Sequence, residues 1–233
     1  MTSVELSKIL REVADPKYAI HSQRFFKTGQ GEYGEGDEFL GIRVPILRKH
    51  AKQFGDLSLT ETKKLLRSNY HEERLCALFI LVHKYTSSDY EKSVIYNLYL
   101  DNTKYINSWD LVDSSAYKII GAYLDKRNKS PLYKLSKSNN LWERRISIIS
   151  TLYFIKNGEF EDALEIAKVL LHDDEELIHK AVGWMLREVG KKNLEAEKLF
   201  LLSCYKKMPR MMLRYAIEKF PETERKKYLQ GRI

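Results

Sequence analysis

Trp109 and Asp113 stand four residues apart in the segment "SWDLVD" (108–113), and their side chains are of types that could do chemistry. In a helix this spacing puts them about 40° apart on one face, at the border of the apolar stripe. An indole face attracts cationic groups, and a carboxylate stabilises positive charge. The pair therefore indicates a site for a cationic group. Alternatively, Asp113 only favours the positive end of a helix that begins after an N-cap at Asn107 or Ser108.

A second tryptophan, Trp184, falls between two cations on another predicted helix. Lys180, Trp184 and Arg187 follow i, i+4, i+7 spacing and point away from the apolar face of their own helix. Such an indole is typical of a ligand-facing position. Two alternatives stay open, which are packing against a neighbouring helix and a cation–π pair with Arg187.

Arg145 lies inside the apolar arc of the segment 142–150, whereas its neighbour Arg144 points outward. Because an unpaired buried charge is very costly, Arg145 must either reach solvent along its stem or find an acceptor. We predict a carboxylate partner, Asp113 or Asp110. That pairing would be either a structural tie between two repeats or part of a binding site.

The elements that must position these residues are predicted to be helices. Apolar residues recur at i, i+3, i+4 almost throughout, and no run alternates like a half-buried strand, so the class is all-α. The exception is the glycine-rich loop 28–41, "TGQGEYGEGDEFLG". It has no phosphate-binding lysine motif, and its four carboxylates would repel phosphate. We interpret it as a flexible connection that could have a function of its own.

An internal repeat is indicated by basic residues that each precede an apolar helical core. The last three are spaced by 35 and 34 residues (180 − 145 and 214 − 180), and the first gap is a double period whose missing member falls in "SWDLVD". This pattern predicts one domain, 1–233, forming a curved α-solenoid of HEAT-like antiparallel helix pairs. The basic residues of the pattern are Arg74, Arg145, Lys180 and Arg214. We expect Arg74, Lys180 and Arg214 on the concave side.

The amino-acid composition indicates which kind of partner the protein binds and in which cellular compartment it is found. The 233 residues include 40 Lys and Arg against 32 Asp and Glu, a net charge of +8, which favours nucleic acid as partner. No apolar run approaches ~18 residues, so no membrane span is expected. The N-terminus looks like an amphipathic helix rather than a signal peptide. Cys76 and Cys204 are isolated, which predicts reduced thiols in a cytoplasmic protein.

Common catalytic motifs do not occur in the sequence. There is no HExxH, no CxxC pair and no Ser–His–Asp spacing, and the six histidines are scattered. These observations disfavour metal, thiol and serine chemistries.

Four segments together resemble the AlkD-like DNA alkylation repair family, which are DNA glycosylases built from HEAT-like repeats. They occur in order over most of the chain: "FLGIRVPILRKHAK" (39–52), "SWDLVD" (108–113), "LWERRISII" (141–149) and "VGWMLREVGKK" (182–192). The resemblance implies hydrolysis of the N-glycosidic bond of N3- and N7-alkylated purines, the first step of base excision repair. It implies no metal or cofactor. The expected partner is double-stranded DNA with alkylated bases, bound by a monomer.

Residue by residue, the resemblance assigns the site. The family's catalytic aspartate falls on Asp113, and its two site tryptophans fall on Trp109 and Trp184. Its site arginine falls on Arg145, and a further DNA-contacting arginine falls on Arg187. The chemistry agrees, since a carboxylate beside the sugar stabilises oxocarbenium character, and a cationic purine leaves without a general acid.

The N-terminal part departs from the family pattern. Phe25 stands where the family has a tyrosine, so a hydroxyl is lost, and the loop 28–41 is longer than in typical members. We include Phe25 among the predicted DNA contacts, together with Arg74, Lys180 and Arg214 from the basic pattern.

Two other functions stay open for the same fold. One is a non-catalytic nucleic-acid-binding repeat protein, and the other is a protein–protein scaffold. Salt-dependent binding to duplex DNA separates the first from the second, and base release separates the enzyme from both.

Overall fold

The computed structural model describes residues 1–87 and 92–233. Within these ranges the chain is helical without strands, and one isolated bridge joins Glu38 to Tyr70. The prediction of an all-α protein is therefore confirmed. The α-helices are α1 (Ser3–Glu12), α2 (Pro16–Phe25), α3 (Val44–Gln53), α4 (Leu59–Leu66), α5 (His71–Ser87), α6 (Lys92–Leu100), α7 (Trp109–Ala116), α8 (Ala122–Leu124), α9 (Ser130–Leu135), α10 (Leu141–Ser150), α11 (Leu152–Lys156), α12 (Glu161–Val169), α13 (Glu176–Lys192), α14 (Leu194–Cys204), α15 (Arg210–Ala216) and α16 (Glu222–Leu229).

The described residues form two compact units, Met1–Ser115 and Ala116–Ile233. In the first unit α3 and α4 both pack on α5, whose residues from His71 to Leu81 are all buried. In the second unit α13 is the central helix, and α10, α12, α14 and α15 pack around it. Each unit thus has one long helix enclosed by shorter ones.

Several helices begin at signals that the sequence contains. Thr2 and Glu5 form a capping box at α1, and Asp15 caps α2, which has proline at its first position. Asn140 caps α10 and Asn193 caps α14 in the same manner. A π-helical turn, Tyr117–Gly121, follows α7 along the chain.

Two contacts define how α13 packs on α15 and the turn that follows it, Ile217–Lys219. Gly183 of α13 lies against Met212, and one turn further Arg187 pairs with Glu218. The contacts advance together along both segments. Helix α13 and the segment that begins with α15 therefore run in the same direction.

The basic residues of the predicted repeat do not share one environment. Arg74 and Arg145 are buried, with 3% and 5% of their surface exposed. Lys180 is half-buried and Arg214 is exposed. Arg74 was expected on the concave side with Lys180 and Arg214, and its burial contradicts a position on the surface.

No helix in the described ranges is both long and apolar enough to cross a membrane. Cys76 and Cys204 are buried and form no disulfide.

Candidate functional site

Helix α7 holds Trp109 in its first turn and Asp113 one turn later. The helix begins at Trp109, directly after the predicted N-cap position Ser108. Both side chains are half-buried, so each keeps part of its surface open. Asp113 lies near Tyr99, which is fully buried in the core of the first unit. Burial raises the pKa of Tyr99, and the negative charge of Asp113 raises it further. A carboxylate and an indole thus lie one turn apart on α7, and both are half-buried.

Two phenylalanines contact the indole of Trp109. The Phe26 ring stacks on it at a centroid distance of 5.4 Å and an interplanar angle of 13°. The Phe25 ring approaches it edge-on at 6.0 Å and remains 59% exposed. Aromatic rings in these geometries attract each other and restrict each other's orientation. The structure therefore brings the predicted DNA contact Phe25 beside Trp109, while Phe26 supports the indole.

Behind this aromatic group lies His71, the first residue of α5, which is 2% exposed. Its Nδ1 is 3.1 Å from Asp37 Oδ2, and its Nε2 is 2.8 Å from Asp110 Oδ2. A carboxylate only accepts hydrogen bonds, so both ring nitrogens carry a proton and His71 is an imidazolium. Burial alone would lower the pKa of His71. The charges and hydrogen bonds of Asp110 and Asp37 outweigh burial and raise that pKa to about 9.

Arg74 completes this buried network in the first unit. Its Nη2 donates to Asp37 Oδ2 at 2.7 Å and to Asn107 Oδ1 at 3.2 Å, and its Nη1 donates to two backbone carbonyls. Burial would raise the pKa of Asp37, but the His71 hydrogen bond and the Arg74 charge bring it below its ordinary value. The guanidinium of Arg74 thus binds acceptors inside the protein, and this does not fit the predicted contact between Arg74 and a DNA phosphate.

The glycine-rich loop brings Asp37 and Phe39 to this network. Phe39 stacks on the His71 ring at 4.5 Å and 18°. The buried Glu72 carboxylate accepts the backbone N–H groups of residues 40, 41 and 42 at 2.8–3.1 Å. The loop predicted as a flexible connection is therefore anchored to α5 over its second half.

In the second unit, Arg145 of α10 is buried, as predicted, and donates a hydrogen bond to the carbonyl of Leu177. Its neighbour Arg144 pairs with Asp173, with Nε 2.6 Å from Oδ2. Of the two carboxylates predicted as partners of Arg145, Asp110 is the partner of His71 in the first unit.

Trp184 of α13 is half-buried, and its Nε1 donates to Glu188 Oε1 at 3.0 Å. This i, i+4 bond orients the indole along its own helix. Arg187 forms an ion pair with Glu218, and Lys180 forms one with Glu176. The observed partner of Trp184 is thus Glu188, and that of Arg187 is Glu218.

The residues that sequence reasoning missed are His71, Asp37 and Phe26. The acidic residues of the glycine-rich loop were one available signal, because a buried histidine or arginine needs such partners. Across the described ranges, no group of three or more His, Cys, Asp or Glu side chains is arranged to hold a metal ion.

Comparison with known proteins identifies the class. A family model described as "DNA alkylation repair enzyme" matches residues 6–220, and the chain belongs to this family. A search of curated proteins finds no match.

Two solved structures share the fold. One is titled a predicted DNA alkylation repair enzyme from Enterococcus faecalis. It is 16% identical at a TM-score of 0.68, over 90% of this chain and 97% of that one. The other is smu.31 from Streptococcus mutans UA159. It is 17% identical at a TM-score of 0.52, over 94% and 99% of the two chains.

Proposed function

We propose that this protein is a DNA glycosylase that releases N3- and N7-alkylated purines, such as 3-methyladenine and 7-methylguanine, from duplex DNA. The observation that carries the proposal is the pair on α7, where the half-buried Trp109 and Asp113 lie one turn apart with the exposed Phe25 at the indole edge. Family membership supports a DNA repair substrate. The net charge of +8 supports a polyanionic partner.

In this proposal Trp109 covers the deoxyribose with its electron-rich face, and Phe26 supports the indole. Asp113 places a negative charge near the sugar carbon where positive charge grows as the bond to the base breaks. The bonding electrons leave with the base, whose alkyl group already made it cationic, so it departs neutral without a general acid. Water, oriented by Asp113, adds to the sugar carbon and loses a proton.

The family resemblance also gives catalytic roles to Trp184 and Arg145 in the second unit. Trp184 has an oriented and partly open indole, which suits contact with an electron-poor group. Arg145 is held by a backbone carbonyl, which suits a fixed cation. These two roles rest on the resemblance.

The decisive experiment is Asp113→Asn, which keeps the shape of the side chain and removes its charge. Release of 7-methylguanine from methylated duplex DNA, measured under single-turnover conditions, should slow by about 10² or more, as when a main electrostatic stabiliser is lost. DNA binding and the circular dichroism spectrum should stay close to wild type. Asp101→Asn, an exposed change in the same unit, is the matched control.

A folded Asp113→Asn protein with wild-type release would refute the catalytic role of Asp113. Salt-dependent duplex binding by a wild-type protein that releases no base would identify a non-catalytic nucleic-acid-binding protein instead. Absence of duplex binding would favour the scaffold.

A further inference from the structure

We propose that His71, held as an imidazolium between Asp37 and Asp110, is the positioning residue for Trp109 and for the start of α7. The inference deepens the proposed glycosylase function and rests on it. His71 is not a catalytic residue in this scheme, because it is buried and would touch no part of the DNA.

The first connection runs through Asp110, which precedes Leu111 and follows Trp109 in the first turn of α7. Asp110 Oδ2 accepts from His71 Nε2 at 2.8 Å, while its Oδ1 accepts the backbone N–H of Leu111 at 2.9 Å. The Asp110 carboxylate therefore connects the His71 side chain of α5 to the backbone of α7. The residue it holds is the direct neighbour of the indole.

The second connection runs through Phe26. Its ring centroid is 4.9 Å from that of His71 and 5.4 Å from that of Trp109. Ring contacts therefore continue from the imidazolium to Phe26, which is tilted by 42° against it, and from Phe26 to the indole stacked on it. A cation prefers the face of an aromatic ring, so the charge on His71 strengthens this arrangement.

The charged groups that face His71 come from three elements. Asp37 faces it from the glycine-rich loop, Asp110 from α7 and Arg74 from its own helix. With His71 protonated, two negative charges meet two positive ones. Loss of the proton leaves one ring nitrogen with a lone pair turned toward a carboxylate, which repels it. Asp110 or Asp37 must then move, and α7 loses its anchor.

The first test compares His71→Gln with His172→Gln, an exposed histidine of the second unit that serves as control. His71→Gln should slow single-turnover base release at pH 7.5 by about tenfold or more, since small displacements of a positioned group have effects of this size. DNA affinity should stay within about twofold, because the exposed phosphate contacts are unchanged. Unchanged release in a folded His71→Gln protein overturns the proposal.

The pH profile gives a signature that a merely structural histidine would not produce. Wild-type release should fall as the pH rises through about 9, where His71 loses its proton. The profile of His71→Gln should lack this fall, while that of His172→Gln should keep it. An identical fall in wild type and His71→Gln would assign it to another group and overturn the proposal.

A readout independent of activity uses the three tryptophans of the chain. With 5-fluorotryptophan incorporated, the Trp109 resonance, assigned with Trp109→Phe, should shift with a midpoint near pH 9 in the wild type. The resonances of Trp142 and Trp184 should not follow it. If the wild type releases no base, the proposed function fails, yet this titration still decides the positioning role.

A second variant covers the case in which His71→Gln does not fold. Asp110→Asn keeps an oxygen acceptor for His71 but removes one negative charge, so it should lower the midpoint by about one pH unit. A Trp109 resonance that does not titrate in the wild type, or that titrates alike in Asp110→Asn, overturns the proposal.

Discussion

Gly183 of α13 lies directly against the carbonyl oxygen of Met212 in α15, and the contact leaves no room for a side chain. Gly121 lies against the carbonyl oxygen of Ser150 in the same way. In both cases the β-carbon of a tyrosine also lies against the glycine, Tyr215 at Gly183 and Tyr153 at Gly121. Each tyrosine follows the residue with the contacting carbonyl by three positions. Two pairs of backbone segments in the second unit thus approach each other closely, each pair at a glycine.

Gly183→Ala should destabilise the protein by about 1–3 kcal/mol or more, because the added methyl group meets backbone rather than a movable side chain. Urea unfolding followed by circular dichroism measures the change. The control Leu202→Ala, at a position 54% exposed on α14, should stay within about 0.5 kcal/mol of wild type. Equal stability of the Gly183→Ala protein would contradict the close approach.

Glu197 of α14 should make the second unit less stable at high pH. The residue is 2% exposed, and its Oε1 is without a hydrogen-bond partner among the described residues. Burial raises the pKa of Glu197 to about 8, although the charge of Arg187 lowers it somewhat. Between the ordinary value of 4.5 and about 8, the folded state binds more protons than the unfolded state. The free energy of unfolding therefore falls as the pH rises through this range.

Glu197→Gln removes this titration, so the free energy of unfolding should depend less on pH. At about 1.4 kcal/mol per pKa unit, the shift from 4.5 to about 8 predicts that the free energy of unfolding of the variant exceeds that of wild type by about 5 kcal/mol at pH 9. Urea unfolding at pH 5, 7 and 9 tests it, with the exposed Glu195→Gln on the same helix as control. Parallel curves for wild type and Glu197→Gln would show that the pKa of Glu197 is not raised in the folded state.

Arg145→Ala should combine a stability loss with an activity loss. The buried guanidinium donates to the Leu177 carbonyl, so truncation should cost about 1–3 kcal/mol of unfolding free energy. If Arg145 also contacts the DNA, base release per folded molecule should fall further. Arg127→Ala, an exposed change in the same unit, is the control. A release rate that follows only the folded fraction would restrict Arg145 to a structural role.

The salt dependence of duplex binding should distinguish Lys180 and Arg214, which keep exposed surface, from the buried Arg74. The logarithm of duplex affinity should fall with log salt by about 0.9 per neutralised phosphate. Lys180→Ala or Arg214→Ala should reduce this slope by about one each, whatever the DNA sequence. Arg74→Met should lower stability and leave the slope of the folded fraction unchanged. A reduced slope for Arg74→Met would contradict its internal role.

The parts of the fold that depend on local pattern could be predicted from the sequence. Helical periodicity depends on neighbouring residues, so the all-α class and the start of α7 at Trp109 followed from it. The burial of Arg145 followed for the same reason, since a helical wheel places it among the apolar residues.

The buried network around His71 could not be predicted from local pattern. His71 lies 34 residues from Asp37 and 39 from Asp110, and only the course of the loop brings them together. Glu72 and Arg74 lie within the next three residues, and charged side chains are normally exposed to water. Here the loop covers that end of α5, so the usual rule fails.

The anchoring of the glycine-rich loop also says where the chain tolerates changes in length. The tip, residues 29–33, is largely exposed, and its Gly29 and Gly31 amides bond only to the carboxylates of Glu32 and Glu35. The following residues are fastened through Asp37 and through Glu72. A peptide tag inserted at the tip would leave these fastenings in place. The same tag inserted after Asp37 would displace Phe39 from the imidazole of His71. The loop can therefore vary in length at its tip but not between Asp37 and Phe39.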